Sequence, residues 1–226
     1  MAITPAFSHV IFDLDGTILD TLNDLAQSAN RVCEAQGWPS FPVDAYRYKV
    51  GNGMVKLVER FMPAEYAGDA AMLEKTLAAF RADYAKHKED TTAPYPGILT
   101  MLDTLLAAGV KLAVLTNKDH QAAVPLIERY FGNERFTYIQ GRIDAFPPKP
   151  AAPITMHVLA QLGANPARTL YVGDSDVDVM CGHNAGLRTA GVAWGFRGTD
   201  ELRAAGADYI VDNPEELSAL VLNQSV

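Results

Sequence analysis

The feature that most constrains this chain is a set of short runs that are apolar almost without interruption. They are SHVIFD (8–13), VKLAVLT (110–116), RFTYIQG (135–141), RTLYVGD (168–174), LRTAGVAW (187–194) and ADYIVD (207–212). Strict alternation would mark strands with one wet face. Continuous runs of this length mark strands covered on both faces, as in a parallel sheet. Helical patterns begin between the later runs, near Gly97, Asp119, Ala151, Ser175 and Asp200. Such strand–helix alternation predicts an α/β fold, a doubly wound, mainly parallel sheet.

The interval 21–92 breaks the alternation, with helical patterns and no convincing strand. Leu22, Leu25, Ala26, Ala29, Val32 and Cys33 follow three- and four-residue spacing, and Gly37 is a natural stop. Thr21 with Asp24 three residues on reads as a capping box. A second helix is expected from about Gly53 and a longer one over roughly 67–88, after which TTAPYPGI (91–98) leads back. The expected organisation is an α/β core of 1–20 and 92–226 with an inserted all-helical cap of 21–91.

Composition narrows the partners. The formal charge of −8 over 226 residues lacks the basic footprint that nucleic-acid binding needs. Cys33 and Cys181 have neither the number nor the spacing of a disulfide framework or a zinc site. No basic-then-apolar leader opens the chain and no apolar run approaches a membrane span, so a cytoplasmic protein with no membrane partner is expected, a monomer or homodimer. His9, His87, His120, His157 and His183 form no metal spacing.

Chemistry gathers at the ends of the apolar runs. VIFDLDGTILDT (10–21) closes in Asp13, Asp15 and Asp20. At the carboxyl end of a strand, Asp13 and Asp15 share a face, and Gly16 permits a tight turn. YVGDSDVD (171–178) closes another run in Asp174, Asp176 and Asp178. Two strand ends finishing in carboxylates suggest an oxygen-lined Mg²⁺ site, since without a cation they would repel. Asp176 reads as a solvated helix-start charge. VLTNKDH (114–120) ends in Thr116, Asn117 and Lys118 before a helix N-terminus, a phosphate cradle, and FPPKPAAP (146–153) aims Lys149 from between prolines. Metal, hydroxyl, amide and ammonium together are what phosphoryl transfer requires.

DLDGTILD (13–20), LTNK (115–118), Lys149-Pro150 and VGDSDVD (172–178) resemble, in order, the four motifs of the haloacid dehalogenase superfamily. The resemblance spans almost the whole chain and implies that 21–91 is the family's helical cap. It further implies that Asp13 is a nucleophile that becomes an aspartyl-phosphate, and that Asp15 protonates the leaving alkoxide and then deprotonates water. Thr116 and Lys149 would hold phosphoryl oxygens and orient Asp13, with Gly16, Thr17, Asn117 and Lys118 beside the substrate. Mg²⁺ would sit on Asp13, the backbone carbonyl of Asp15 and Asp174, with Asp178 bound through water or acting behind it. Asp15 favours a phosphatase or phosphomutase, because dehalogenases lack an acid there and P-type ATPases carry Thr. KPAAP departs from the family's Lys-Pro-x-Pro by displacing the second proline to Pro153.

YKVGNGMVKLVER (48–60), AWGFRGTDEL (193–202) and AGADYIVDNPEEL (205–217) are similar to phosphoglycolate phosphatases. Gly51, Asn52 and Gly53 open a helix whose free N–H groups would face a small carboxylate, with Lys56 one turn in. A flexible turn is the plainer reading of those glycines. The expected substrate is a small phosphorylated metabolite, 2-phosphoglycolate first. The alternatives are a sugar phosphomutase, a pyrophosphatase or nucleotidase of the same superfamily, and a non-catalytic binding module. Cys181, Trp194 and Phe196 read as packing, and Arg81, Lys86 and Lys88 as an exposed helix face.

Overall fold

The computed structural model describes residues 5–224. The chain forms two compact units, one running up to Leu19 and from Pro94 onward, the other Asp20–Ala93. In chain order the strands are β1 (His9–Phe12), β2 (Leu19–Asp20), β3 (Ala93–Pro94), β4 (Lys111–Asp119), β5 (Tyr138–Arg142), β6 (Thr169–Gly173), β7 (Arg188–Val192) and β8 (Tyr209–Val211). The helices are α1 (Leu22–Ala35), α2 (Met54–Phe61), α3 (Ala70–His87), α4 (Ile98–Ala107), α5 (His120–Phe131), α6 (Ala152–Leu162), α7 (Asp176–Asn184), α8 (Thr199–Ala204) and α9 (Pro214–Leu222).

The first unit is a doubly wound α/β domain, as the apolar runs predict. Six strands form one sheet in the order β5-β4-β1-β6-β7-β8, and their pairings are parallel. Successive residues of a strand point to opposite faces, and both faces are apolar. Val10 and Phe12 of β1, Leu112 and Val114 of β4, and Leu170 and Val172 of β6 share a core with α4, α5 and α9. Ile11, Ala113, Leu115 and Tyr171 point the other way, to α6 and α7. That double burial is why the runs are continuous. The run at 135–141 becomes a strand only from Tyr138, because Phe136 turns in to meet Phe131 edge-on, with ring centroids 5.7 Å apart.

The second unit is helical. Leu22, Leu25, Ala26, Ala29, Val32 and Cys33 form the buried face of α1, which packs on α3, and Phe61, Phe80 and Tyr84 fill the middle. Arg31 adds a two-pronged bond to Asp83, with its Nη2 2.7 Å from Oδ1. β2 and β3, the segments by which the chain leaves and re-enters the first unit, pair with one another.

The expected capping box at Thr21 and Asp24 does not form. The Thr21 side chain caps nothing, and Asp20 Oδ1 instead accepts from the Leu22 N–H at 3.3 Å. Asp24 is buried and turned to the returning chain. Its carboxylate accepts from the backbone N–H and hydroxyl of Thr91 and from those of Thr92. Four donors from two consecutive residues outcompete the one N–H an N-cap would supply.

Candidate active site

Strand register assembles the site. Phe12 of β1 pairs with Val114 on one side and Val172 on the other. The Asp13 N–H extends that ladder by donating to Val172 O at 2.8 Å. One residue past the end of β1, Asp13 therefore lies between the end of β6, where Asp174 follows Gly173, and the Leu115-Thr116 stretch of β4. The chain moves from β1 outward to β4 and β5, then returns to the other side of β1 for β6, β7 and β8. The reversal falls between β1 and β6. In open α/β sheets the crevice at that reversal, outside the carboxyl ends, is the ligand site.

Asp13, Asp174 and Asp178 are all buried, and each offers one carboxylate oxygen within 4.8 Å of the others. Lys149 enters from the loop before α6. Its ammonium is 2.8 Å from Asp13 Oδ1, an ion pair bent away from hydrogen-bond geometry, and donates to Asp178 Oδ1 at 2.7 Å and Leu115 O at 3.2 Å. The ammonium thus donates to two oxygens and faces a third, that of Asp13, as an ion pair. Asn117 fixes that loop: its Oδ1 accepts from the Lys149 N–H at 3.0 Å and its Nδ2 donates to Lys149 O at 3.2 Å. Asp178 is held from behind, Oδ2 accepting from the N–H (3.1 Å) and hydroxyl (2.7 Å) of Ser175. The Phe196 N–H donates to Asp174 Oδ2 at 2.7 Å. Gly16, at φ +86°, lies so close to Asp174 that a side chain there would strike the carboxylate.

These carboxylates carry more negative charge than the protein offsets. Burial pushes the Asp13 carboxyl up to about 7, with repulsion from Asp178 and Asp15 adding to it and Lys149 only partly opposing. Burial likewise raises Asp174 well above the carboxylate range, helped by Asp178 and Asp13. Burial disfavours the Lys149 charge, yet Asp13 and Asp178 hold its pKa above that of an ordinary lysine. Hard oxygen donors of this number and spacing suit a divalent cation, which would relieve the repulsion. The donor set therefore fits such an ion.

Of the residues singled out in the sequence, Asp13, Asp174, Asp178 and Lys149 converge. Asp15 adds no carboxylate to the buried cluster; its two oxygens face Lys118 Nζ at 2.9 and 3.2 Å. Thr116 is buried, and its hydroxyl oxygen accepts from the Lys118 N–H at 3.2 Å. Thr17 is fully buried, and its carbonyl accepts from Trp194 Nε1 at 2.9 Å. Gly51, Asn52, Gly53 and Lys56 belong to the helical unit. There Gly53 immediately precedes α2, Asn52 Oδ1 accepts from Arg60 Nη2 at 2.7 Å, and Lys56 pairs with Glu59 at 2.6 Å. Sequence reasoning missed Ser175 and the Phe196 N–H as supports of the carboxylates. Ser175 carried a local signal, the Ser-x-x-Asp spacing to Asp178. The Phe196 amide carried none, since backbone donors leave no mark on a sequence.

The profile of the haloacid dehalogenase-like hydrolase family matches residues 10–192, from β1 through β7. The chain belongs to that family. Among curated relatives, the phosphoglycolate phosphatase of Chromobacterium violaceum is 34% identical over 216 residues, covering 95% of this chain and 96% of the relative. That of Psychrobacter arcticus is 34% identical over 219 residues, covering 94% and 93%. A solved protein of Lactobacillus delbrueckii subsp. bulgaricus, provisionally designated a phosphoglycolate phosphatase, superposes with a TM-score of 0.90 at 31% identity, covering 96% of this chain and 99% of its own. The haloacid dehalogenase-like resemblance of the four motifs is thereby borne out.

Proposed function

We propose that this chain is a Mg²⁺-dependent phosphatase that hydrolyses 2-phosphoglycolate to glycolate and phosphate. The observation that carries the reading is the convergence of Asp13, Asp174 and Asp178 with Lys149 at the sheet's reversal point. The substrate follows from the relatives' activity and from the glycine-flanked turn before α2, whose N–H groups suit a small carboxylate.

Asp13 is the nucleophile. Its carboxylate attacks phosphorus, the bond to the glycolate oxygen breaks, and an aspartyl-phosphate forms. Asp15 gives its proton to that oxygen, then takes one from the water that cleaves the acyl-phosphate. Lys149 orients Asp13 and balances its charge, while Asn117 and Asp178 fix Lys149. Thr116 lies in β4 two residues past Val114, the partner of Phe12, and its hydroxyl is the group assigned to a phosphoryl oxygen. Asp13, Asp174 and the Asp15 carbonyl would hold Mg²⁺, with Asp178 behind them, and the ion would supply charge for the phosphoryl oxygens. In the helical unit, Gly51, Asn52, Gly53 and Lys56 are the candidates for recognising the substrate's carboxylate.

The test is phosphate release from a panel of small phosphomonoesters, sugar phosphates, nucleotides and pyrophosphate with Mg²⁺. The highest kcat/KM is expected for 2-phosphoglycolate. Preference for a sugar phosphate that depends on a bisphosphate activator would instead identify a mutase, and no turnover of any ester would end the phosphatase reading.

A further inference from the structure

The lysine of LTNK is not placed as a phosphate ligand. Lys118 Nζ sits 2.9 Å from Oδ1 and 3.2 Å from Oδ2 of Asp15, with side chains 4% and 12% exposed. Its backbone is fixed in β4, and its N–H donates to Thr116 Oγ1. The two carboxylates of Asp13-Leu14-Asp15 thus face two different lysines, Asp13 meeting Lys149 and Asp15 meeting Lys118. We propose that Lys118 is a positioning residue. It fixes the Asp15 carboxyl group where that group exchanges protons with the leaving oxygen and with the attacking water. This rests on the phosphatase reading and deepens it.

Two considerations favour positioning over phosphate binding. Moving Lys118 to a phosphate would break an ion pair whose side chains are only 4% and 12% exposed, a costly exchange. An ammonium spanning both oxygens also sets the rotation of the carboxyl plane, which one hydrogen bond does not. Proton transfer requires that precision, since the acid must lie within hydrogen-bond reach of the oxygen it serves. In the first step the phosphorus–glycolate oxygen bond breaks as the bond to Asp13 forms, and the Asp15 proton goes to the departing oxygen. In the second, water bonds to phosphorus, the Asp13–phosphorus bond breaks, and the water proton returns to Asp15.

The experiment compares kcat/KM, with Mg²⁺, for 2-phosphoglycolate and for p-nitrophenyl phosphate, whose leaving group departs without a proton. Lys118→Met is expected to lose roughly 100-fold on 2-phosphoglycolate and under roughly 10-fold on p-nitrophenyl phosphate, the span of general acid catalysis. Inhibition by inorganic phosphate should be unchanged. Lys118→Arg, which keeps a cation opposite Asp15, should recover part of the alkyl-ester loss. Equal losses on both esters with weaker phosphate inhibition would make Lys118 a phosphate ligand and overturn the proposal. Equal losses with unchanged inhibition would reduce Lys118 to packing and overturn it too. If Lys118→Met does not fold, Lys118→Gln is read by the same ratio. Should the wild type ignore 2-phosphoglycolate yet cleave another alkyl phosphate, the substrate assignment fails and that ester takes its place in the comparison.

Discussion

Lys149 joins two carboxylates, its ammonium 2.8 Å from Asp13 Oδ1 and 2.7 Å from Asp178 Oδ1, with 1% of its side chain exposed. Removing one partner of a buried ion pair leaves the others uncompensated, at a cost of about 3–5 kcal/mol. Lys149→Met should therefore lower the stability of the metal-free protein by that amount in urea melts, and reduce kcat by at least roughly 100-fold. Mg²⁺ should restore part of the stability and little of the activity. A metal-free variant as stable as the wild type would show that the pair does not matter to the fold.

The raised Asp13 and Asp174 pKa values give the metal a pH signature. A carboxyl whose folded pKa lies above its unfolded value favours the fold fully below the unfolded value, about 4. That contribution is lost as pH rises through the folded value, about 7 for Asp13. Metal-free protein should thus lose stability from this site between about pH 4 and 7. A cation that binds the ionised cluster should stabilise more as pH rises. Melting temperatures with EDTA and with Mg²⁺ across pH 5.5 to 8 check this. A Mg²⁺ increment that stays flat or shrinks toward pH 8 would contradict it.

Asp24 makes the opposite prediction. Burial pushes its carboxyl up, but the bonds from Thr91 and Thr92 outweigh that and hold it below its ordinary value. Such a group stabilises above the unfolded pKa and loses its contribution as pH falls through the folded one. Asp24→Asn would place an N–H₂ group against N–H and O–H donors, costing about 1–3 kcal/mol at pH 7. The gap to the wild type should narrow toward pH 3. Chemical denaturation at the two pH values measures it, and a gap independent of pH would mean that the ionised form is not what the threonines recognise.

The contrast between these residues shows what sequence can carry. Asp13 and Asp174 were legible because an apolar run that ends abruptly in a carboxylate marks a buried strand meeting a site, a pattern contained within a few residues. Lys149 was legible together with its partner Asp13, whereas Lys118 was legible only as a cation near phosphate chemistry: that it meets Asp15 depends on the register of β1 against β4. Asp24 was misread because its donors, Thr91 and Thr92, lie 67 and 68 residues away, whereas the capping pattern that suggested Thr21 is local. The amide of Asn117 looked like a phosphate donor by its position at a strand end. Its bonds to the Lys149 backbone exist only once the 149 loop has folded beneath it.

Gly173 tests how closely the two carboxylate-bearing segments must approach. It ends β6, and a Cβ built there would overlap Cβ and Cγ of Asp178, the residue whose Oδ1 holds Lys149. Asp178 cannot withdraw without giving up Ser175, since Oδ2 accepts both of that residue's donors. Gly173→Ala should therefore act at a distance on Lys149, with overpacking costing about 1–3 kcal/mol and kcat falling more than KM rises. Gly198, where nothing lies within 4 Å of a built Cβ and φ is −82°, supplies the comparison. Gly198→Ala should cost no more than about 1 kcal/mol, the scale of an N-cap change, and leave turnover intact. Melting temperature and steady-state kinetics on both variants decide the matter. Wild-type turnover in Gly173→Ala would show that Asp178 can move without disturbing Lys149, and would remove it from the chain of contacts that fixes the nucleophile.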